Sequence, residues 1–172
     1  MGPVPDSCDK SEGRADGKGI MKYVNGDVYE GIWMNGERFY QGTCKYANGD
    51  VYEGRWEANL RARRGRCSYR NGDMYDGEWK SDMKVGVGTM QYGNRNKYVG
   101  QWLVDKRNGT GKCVFFRGTG PAVDGKPGDP DVDLWDEYDG AWHSGDRHGA
   151  GRQKYVVSLS SSLFALKLTL SI

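Results

Sequence analysis

The sequence predicts an all-β protein, an elongated single-layer antiparallel meander of repeated β-hairpins with a 23-residue period. The phrase "NGDVYEG" occurs at residues 25–31 and again at 48–54. Several columns of Tyr, Gly and Trp return every 23 residues. Only 37% of the residues are hydrophobic, yet the chain has 27 Gly, 11 Tyr and 6 Trp. This composition is poor for an aliphatic core, so aromatic side chains must supply most of the burial.

The repeat is defined by columns of residues with one spacing. The first columns are Tyr29, Tyr52, Tyr75 and Tyr98, with Trp33, Trp56, Trp79 and Trp102. Glycine recurs at 31, 54, 77 and 100 and at 19, 42, 65, 88 and 111, and a second aromatic column is Tyr23, Tyr46, Tyr69, Tyr92 and Phe115. A last copy, with Tyr138 and Trp142, follows after 40 residues, which is 23 plus an insertion of 17. A fixed period of this length indicates a repeat architecture.

Each unit contains two short segments that alternate like strands. Residues 52–56 read Tyr-x-Gly-x-Trp, and residues 65–69 read Gly-x-Cys-x-Tyr. Alternate residues of a strand point to one face, so the rings of each segment share a face. The Asn-Gly pairs at 25–26, 48–49 and 71–72 predict hairpin turns with positive φ. A single hairpin cannot bury its own rings, so about eleven such strands are expected to pack in series.

The pattern Gly-x-Gly-x-x-x-Tyr-x-Asn-Gly-Asp-x-Tyr-Glu-Gly-x-Trp resembles the MORN (membrane occupation and recognition nexus) repeat. It is carried by residues 17–33, 42–56, 65–79, 86–102 and 134–155. The fourth copy departs from it, with "GNRN" at 93–96 in place of Asn-Gly-Asp. The resemblance implies an elongated, twisted, single-layer sheet, and it does not imply an enzyme. The aromatic residues interpreted as structural are Tyr29, Trp33, Tyr52, Trp56, Tyr75, Trp79, Tyr98, Trp102, Tyr138 and Trp142.

The domain prediction divides the chain into three parts. Residues 1–16 are expected to be a flexible N-terminal tail, and residues 17–156 form the repeat array. The insertion at 117–133 is rich in Gly, Pro and Asp, which predicts a mobile acidic surface loop. The apolar tail at 157–172 has both helical and alternating spacings of Leu, so a helix and a strand remain open. In either form it could cover the exposed last strand.

Charge and composition exclude several classes of function. The net charge of +2 gives no reason to expect a nucleic-acid partner. The N-terminus has no apolar core region typical of a signal peptide, and the four Cys form no CxxC pair, which favours a cytoplasmic location. His143 and His148 have only Asp146 nearby, too few ligands for a metal site. With no nucleophile beside a base and no phosphate-binding loop, we expect no catalytic residue, no cofactor and no metal.

Basic residues form the candidate binding column. Five positions after each repeat Trp the sequence has Arg38, Arg61, Lys84, Arg107 and Arg147, and the stretch "RARRGR" adds Arg63, Arg64 and Arg66. These cations are predicted to lie in turns at one edge of the sheet, with Asp27, Asp50, Asp73 and Asp136 in the turns at the opposite edge. Two interpretations remain open. The cations are solvated and keep the sheet soluble, or they form a basic edge that binds anionic lipid headgroups or an acidic, tubulin-like protein.

The expected function is that of a non-enzymatic scaffold that links cytoskeletal or axonemal structures to membranes or partner proteins. This follows from the resemblance, whose members include junctophilins, ciliary radial-spoke heads and basal or hook-complex proteins of protists. The alternative is a regulatory module that binds phosphoinositides or other anionic lipids, or a fragment related to the arrays that precede lipid-kinase domains. The expected location is cytoplasmic, at the cytoskeleton, at a cilium or flagellum, or at the inner face of a membrane. We also expect a homodimer through the C-terminal end, and a smaller loss of stability for Trp142→Ala than for Trp56→Ala.

Overall fold

The computed structural model describes residues 15–119, 132–159 and 168–170 as one antiparallel sheet in which each strand pairs with the next along the chain. The strands of this described part are β1 (Gly17–Lys22), β2 (Val28–Met34), β3 (Glu37–Lys45), β4 (Val51–Glu57), β5 (Leu60–Ser68), β6 (Met74–Lys80), β7 (Met83–Gln91), β8 (Lys97–Leu103), β9 (Lys106–Thr119), β10 (Val132–His143), β11 (Asp146–Leu159) and β12 (Leu168–Leu170). The predicted all-β meander is confirmed. Within the same residues, no helix has the length and apolarity that a membrane crossing requires.

Two kinds of turn alternate at the two edges of the sheet. Tight two-residue turns close the hairpins that begin with β2, β4, β6, β8 and β10. In the first of them Asn35 and Gly36 have φ of 53° and 81°, as a type I′ turn requires. The Asn-Gly pairs singled out in the sequence lie at the other edge, in three-residue loops. There Gly26 has φ of 92°, and its N–H donates to the Tyr23 carbonyl at 3.0 Å.

The loop with the divergent sequence "GNRN" keeps the geometry of the others. Arg95 takes the place of the loop glycine with φ of 73°, and its N–H donates to the Tyr92 carbonyl at 2.9 Å. Its guanidinium lies 3.8 Å from the centre of the Phe116 ring and pairs with Asp133, which is 7% exposed. The departure in the fourth loop therefore holds the two ends of the insertion in place.

Every hairpin with a tight turn contains a two-residue bulge in its second strand. Gly31 pairs with Gly42, but the next residue, Ile32, pairs with Phe39. The bulged residue Tyr40 has φ of 50°, and its equivalents Arg63, Gly86, Gly109 and Gly149 have φ between 56° and 75°. The bulge shifts the strand by two residues, so that Arg38 instead of Tyr40 lies opposite Trp33.

The core lies on one face of the sheet and consists of rings packed over glycines. Tyr52 is fully buried, and a Cβ added at Gly54 would lie 2.6 Å from its hydroxyl oxygen. Tyr52 makes edge-to-face contacts with two tryptophans, Trp56 at 5.1 Å and Trp79 at 5.4 Å. The same Tyr–Trp alternation runs through all five units, so each unit completes the core of its neighbour.

The predictions for the ends of the chain have mixed outcomes. The C-terminal tail contains β12, which pairs with residues 155–157 of β11, so a strand covers part of the last edge. In the insertion, residues 117–119 and 132–133 belong to β9 and β10. Residues 1–14 and 120–131, predicted as a flexible tail and an acidic loop, lie outside the described residues.

Candidate functional site

Four members of the basic column pack against the aromatic core of the following unit. The guanidinium carbons of Arg38, Arg61 and Arg107 lie 4.3, 4.3 and 4.2 Å from the centres of Trp56, Trp79 and Trp142. The Lys84 Nζ lies 5.5 Å from the centre of Trp102. Such contacts are worth about 0.5–2 kcal/mol each, depending on desolvation. The expectation that these four cations sit in the turns is wrong, because they lie in strands and the bulge turns them onto the rings. Their binding of an anionic surface stays a prediction.

The same cations are tied to the tight turn of the following unit. Arg38 Nη2 donates to the Asn59 carbonyl at 2.7 Å, and Arg107 Nη2 donates to the Gly145 carbonyl at 2.6 Å. Arg61 Nε donates to Asp82 Oδ1 at 2.9 Å, and Lys84 Nζ lies 3.7 Å from Asp105 Oδ1. The tight-turn edge thus carries both signs of charge, and the predicted separation of charge onto two edges is wrong. Burial lowers the pKa of Lys84, and nearby Asp105 offsets only part of this effect.

Carboxylates couple the three-residue loops at the opposite edge. The Oδ1 atoms of Asp27, Asp50 and Asp73 accept the backbone N–H of Ala47, Arg70 and Gly93 at 2.8, 2.9 and 2.8 Å. Asn96 repeats the contact in the fourth loop, with the Phe116 N–H at 2.8 Å. These half-buried side chains therefore also stabilise the stacking of units.

The remaining predicted cations are exposed. Arg63 pairs with Glu57 at 2.6 Å, and Arg147 lies near the Tyr138 ring at the end of the ladder. Arg64 and Arg66 lie on the polar face, opposite the rings, where Arg64 pairs in register with Glu78. They line a shallow cavity of about 410 Å³ together with Gln41, Glu53, Arg55 and Asp76. Of the eight predicted binding residues, the structure thus leaves only these four on the surface.

A row of cavities lies on the aromatic face, beside the three-residue loops. The cavity at Tyr69 measures about 680 Å³ and is lined by Arg70, Lys84 and Met90 with Asn48, Asp50, Asn71 and Asp73. A cavity of about 340 Å³ at Tyr46 and one of about 240 Å³ at Phe115 repeat the same columns. We call these three cavities, together with the half-buried ring of Tyr92 that lies between those at Tyr69 and Phe115, the trough. Sequence reasoning missed it because that ring column was assigned entirely to the core.

The groups that could carry catalysis do not form a catalytic cluster in the part of the chain described. The rings of His143 and His148 lie 5.6 Å apart, but the described residues contain no group of three or more potential metal ligands. Cys44, Cys67 and Cys113 are free and buried. Burial raises the pKa of each of these thiols, which disfavours the nucleophilic thiolate.

Comparison with known proteins agrees with the geometry of the array. The family model for the MORN repeat matches six segments, which are residues 9–28, 29–51, 52–74, 75–97, 98–120 and 138–157. A search of curated proteins finds no match to the chain. MORN repeats are generally a non-catalytic repeat module. Because the matched segments make up more than half of the sequence, this chain belongs to the MORN repeat family.

Proposed function

We propose that this protein is a non-catalytic scaffold that links cytoskeletal or axonemal structures to partner proteins or membranes. The observation that carries the proposal is that most residues of the repeat columns make contacts within the array itself. The rings, four of the five column cations and the loop carboxylates contact neighbouring units, and the glycines leave room for the rings. What remains is a sheet about 50 Å long, from about 4.8 Å per strand, with two extended surfaces. Repeat proteins use such surfaces to bind partners.

Two measurements test the scaffold proposal. A tagged copy in its native cell should localise to a cytoskeletal, ciliary or membrane-apposed structure and remain there after detergent extraction. The purified chain should show no lipid-kinase or hydrolase turnover. A uniformly diffuse, fully extractable protein would contradict the linking role, and measurable turnover would contradict the absence of catalysis.

A second candidate function is weak binding to anionic lipid through the polar face. The exposed Arg55, Arg64 and Arg66 favour it, because each cation near an anionic surface contributes about 1 kcal/mol. Glu53 and Asp76 in the same cavity oppose it. The binding would therefore be weak and sensitive to salt.

The lipid experiment uses Arg64→Ser with Arg66→Ser, and Lys45→Ser with Lys97→Ser as a control of equal charge. Arg61 is left unchanged, because its packing on Trp79 makes its replacement a change in stability. We expect the double variant Arg64→Ser with Arg66→Ser to abolish sedimentation of the protein with vesicles that contain phosphatidylserine. The lysine control should weaken this sedimentation less. Binding that survived the arginine changes and high salt would exclude this role for the polar face.

A further inference from the structure

The trough repeats one set of side chains at a spacing that an extended peptide can match. Successive units are two strands apart, which is about 9.6 Å. A polyproline II helix rises about 3.1 Å per residue with three residues per turn, so it repeats every 9.3 Å or so. Every third residue of such a peptide, laid across the strands, would meet an equivalent position in the next unit. An α-helix repeats on one face about every 10.5 Å and loses register sooner.

The floor of the trough suits proline. The rings of Tyr46, Tyr69 and Tyr92 are only partly buried and pack against the core from its outer side. Aromatic-lined grooves of this kind accept proline rings held in the polyproline II conformation. The cavity at Tyr69 is larger than the one at Tyr46, and it is lined by Lys84 where the other is lined by Arg61. That cavity can receive the bulkiest residue of a ligand.

Hydrogen-bonding capacity in the trough favours an acidic ligand. Each carboxylate oxygen of Asp50 and Asp73 already accepts an N–H from a loop. The Lys84 Nζ has one ionic partner at 3.7 Å, which leaves it further N–H donors. Arg70 is exposed, and no carboxylate in the described residues lies within ion-pair distance of it. Arg70 and Lys84 thus keep free N–H donors in the trough, while each oxygen of Asp50 and Asp73 is already engaged by one N–H.

We infer that the trough binds an acidic, proline-rich segment of a partner protein, extended as a polyproline II helix across the strands. The inference rests on the proposed scaffold function and names its partner class. Proline rings pack on Tyr46, Tyr69 and Tyr92, and carboxylates of the segment bond Arg70 and Lys84. The fixed φ of proline lowers the entropic cost of ordering the segment.

The test measures binding of the full chain to labelled synthetic peptides of about twelve residues, the length of four polyproline II turns. The probe has four copies of Pro-Pro-Asp. One control, four copies of Gly-Gly-Asp, keeps the charge without the stiffness, and another, four copies of Pro-Pro-Lys, reverses the charge. We expect each control to bind at least about tenfold more weakly, a difference of about 1.4 kcal/mol. Equal binding of the Pro-Pro-Asp and Gly-Gly-Asp peptides would overturn the inference.

Variants then locate the site. Arg70→Ser should weaken binding of the Pro-Pro-Asp peptide about tenfold, a difference of about 1.4 kcal/mol. Lys84→Arg, which keeps the charge but fills the cavity, should also weaken it, whereas Arg64→Ser on the opposite face should not. Loss through Arg64→Ser with no effect of Arg70→Ser would overturn the inference. If these peptide-binding tests fail while the tagged protein localises to the cytoskeleton, only the peptide site is refuted. Diffuse localisation would instead refute the scaffold function.

Discussion

At the scale of the residue, each tryptophan inside the array is held from several sides. Trp56 contacts the rings of Tyr29 and Tyr52, lies under the Arg38 guanidinium, and donates its indole N–H to the Gly42 carbonyl at 3.1 Å. Trp33, at the N-terminal end, contacts one such ring, Tyr29. We therefore expect Trp56→Ala to cost about 3–5 kcal/mol and Trp33→Ala less. Urea denaturation measures the free energy of unfolding of both variants. A larger loss of stability for Trp33→Ala would contradict the alternating Tyr–Trp packing.

The structure revises the expected ranking of Trp142. Its ring contacts Tyr98 and Tyr138, both at 5.3 Å, and the Arg107 guanidinium lies 4.2 Å from its centre. These contacts equal those of Trp56, so the insertion does not leave this unit loosely packed. Trp142→Ala should accordingly cost about as much as Trp56→Ala, in the range of 3–5 kcal/mol.

The buried tyrosines predict how stability responds to alkali. Burial raises the pKa of both Tyr29 and Tyr98 from 10.0 to about 12. The unfolded chain then releases these protons at lower pH than the folded one, so stability is full below pH 10 or so and falls as the pH rises toward 12. Tyrosinate absorbance of these residues should appear together with the loss of the β-sheet circular dichroism signal. Their ionisation in an intact sheet would contradict this.

At the scale of the element, the hairpin depends on two facing glycines. A Cβ at Gly54 would meet the Gly65 Cα at 2.5 Å and the Tyr52 hydroxyl at 2.6 Å, so neither ring nor backbone can stay in place. We expect Gly54→Ala to cost about 1–3 kcal/mol, the usual range for overpacking. Thermal denaturation measures it, with Thr43→Ala on the polar face as the control expected within about 0.5 kcal/mol of the parent. Equal effects of the two changes would refute the close packing.

At the scale of the whole molecule, β11 is an edge strand that the C-terminal tail covers in part. β12 pairs with residues 155–157, while the described strands leave residues 146–154 of β11 without a neighbour on that side. Deleting 160–172 should expose the whole edge and promote association through strand pairing. Sedimentation velocity over a range of concentrations checks this, with a larger species expected for the truncated chain.

The homodimer through the C-terminal end stays a proposal with the opposite signature. If the tail itself joins two copies, the same deletion gives a monomer and the intact chain sediments as a dimer. The pairing of β12 with its own chain favours the covering role. A monomeric truncated chain of unchanged solubility would contradict that role.

The sequence by itself determined the strands of the repeat array, their order and the buried face, because a 23-residue period of aromatic residues with two-residue alternation favours a series of hairpins. It left the conformation of the tail open, where the structure has the short strand β12. Only the tertiary structure decided where the charged side chains lie and which groups they contact. Arg38 meets Asn59, 21 residues away, only after the bulge has shifted β3 by two residues. The trough likewise exists only once Tyr69 of one unit and Lys84 of the next lie together beside the loops that contain Asp50 and Asp73. Contacts between neighbouring units depend on register and bulges, and no local sequence pattern specifies where a bulge will shift the register of a strand.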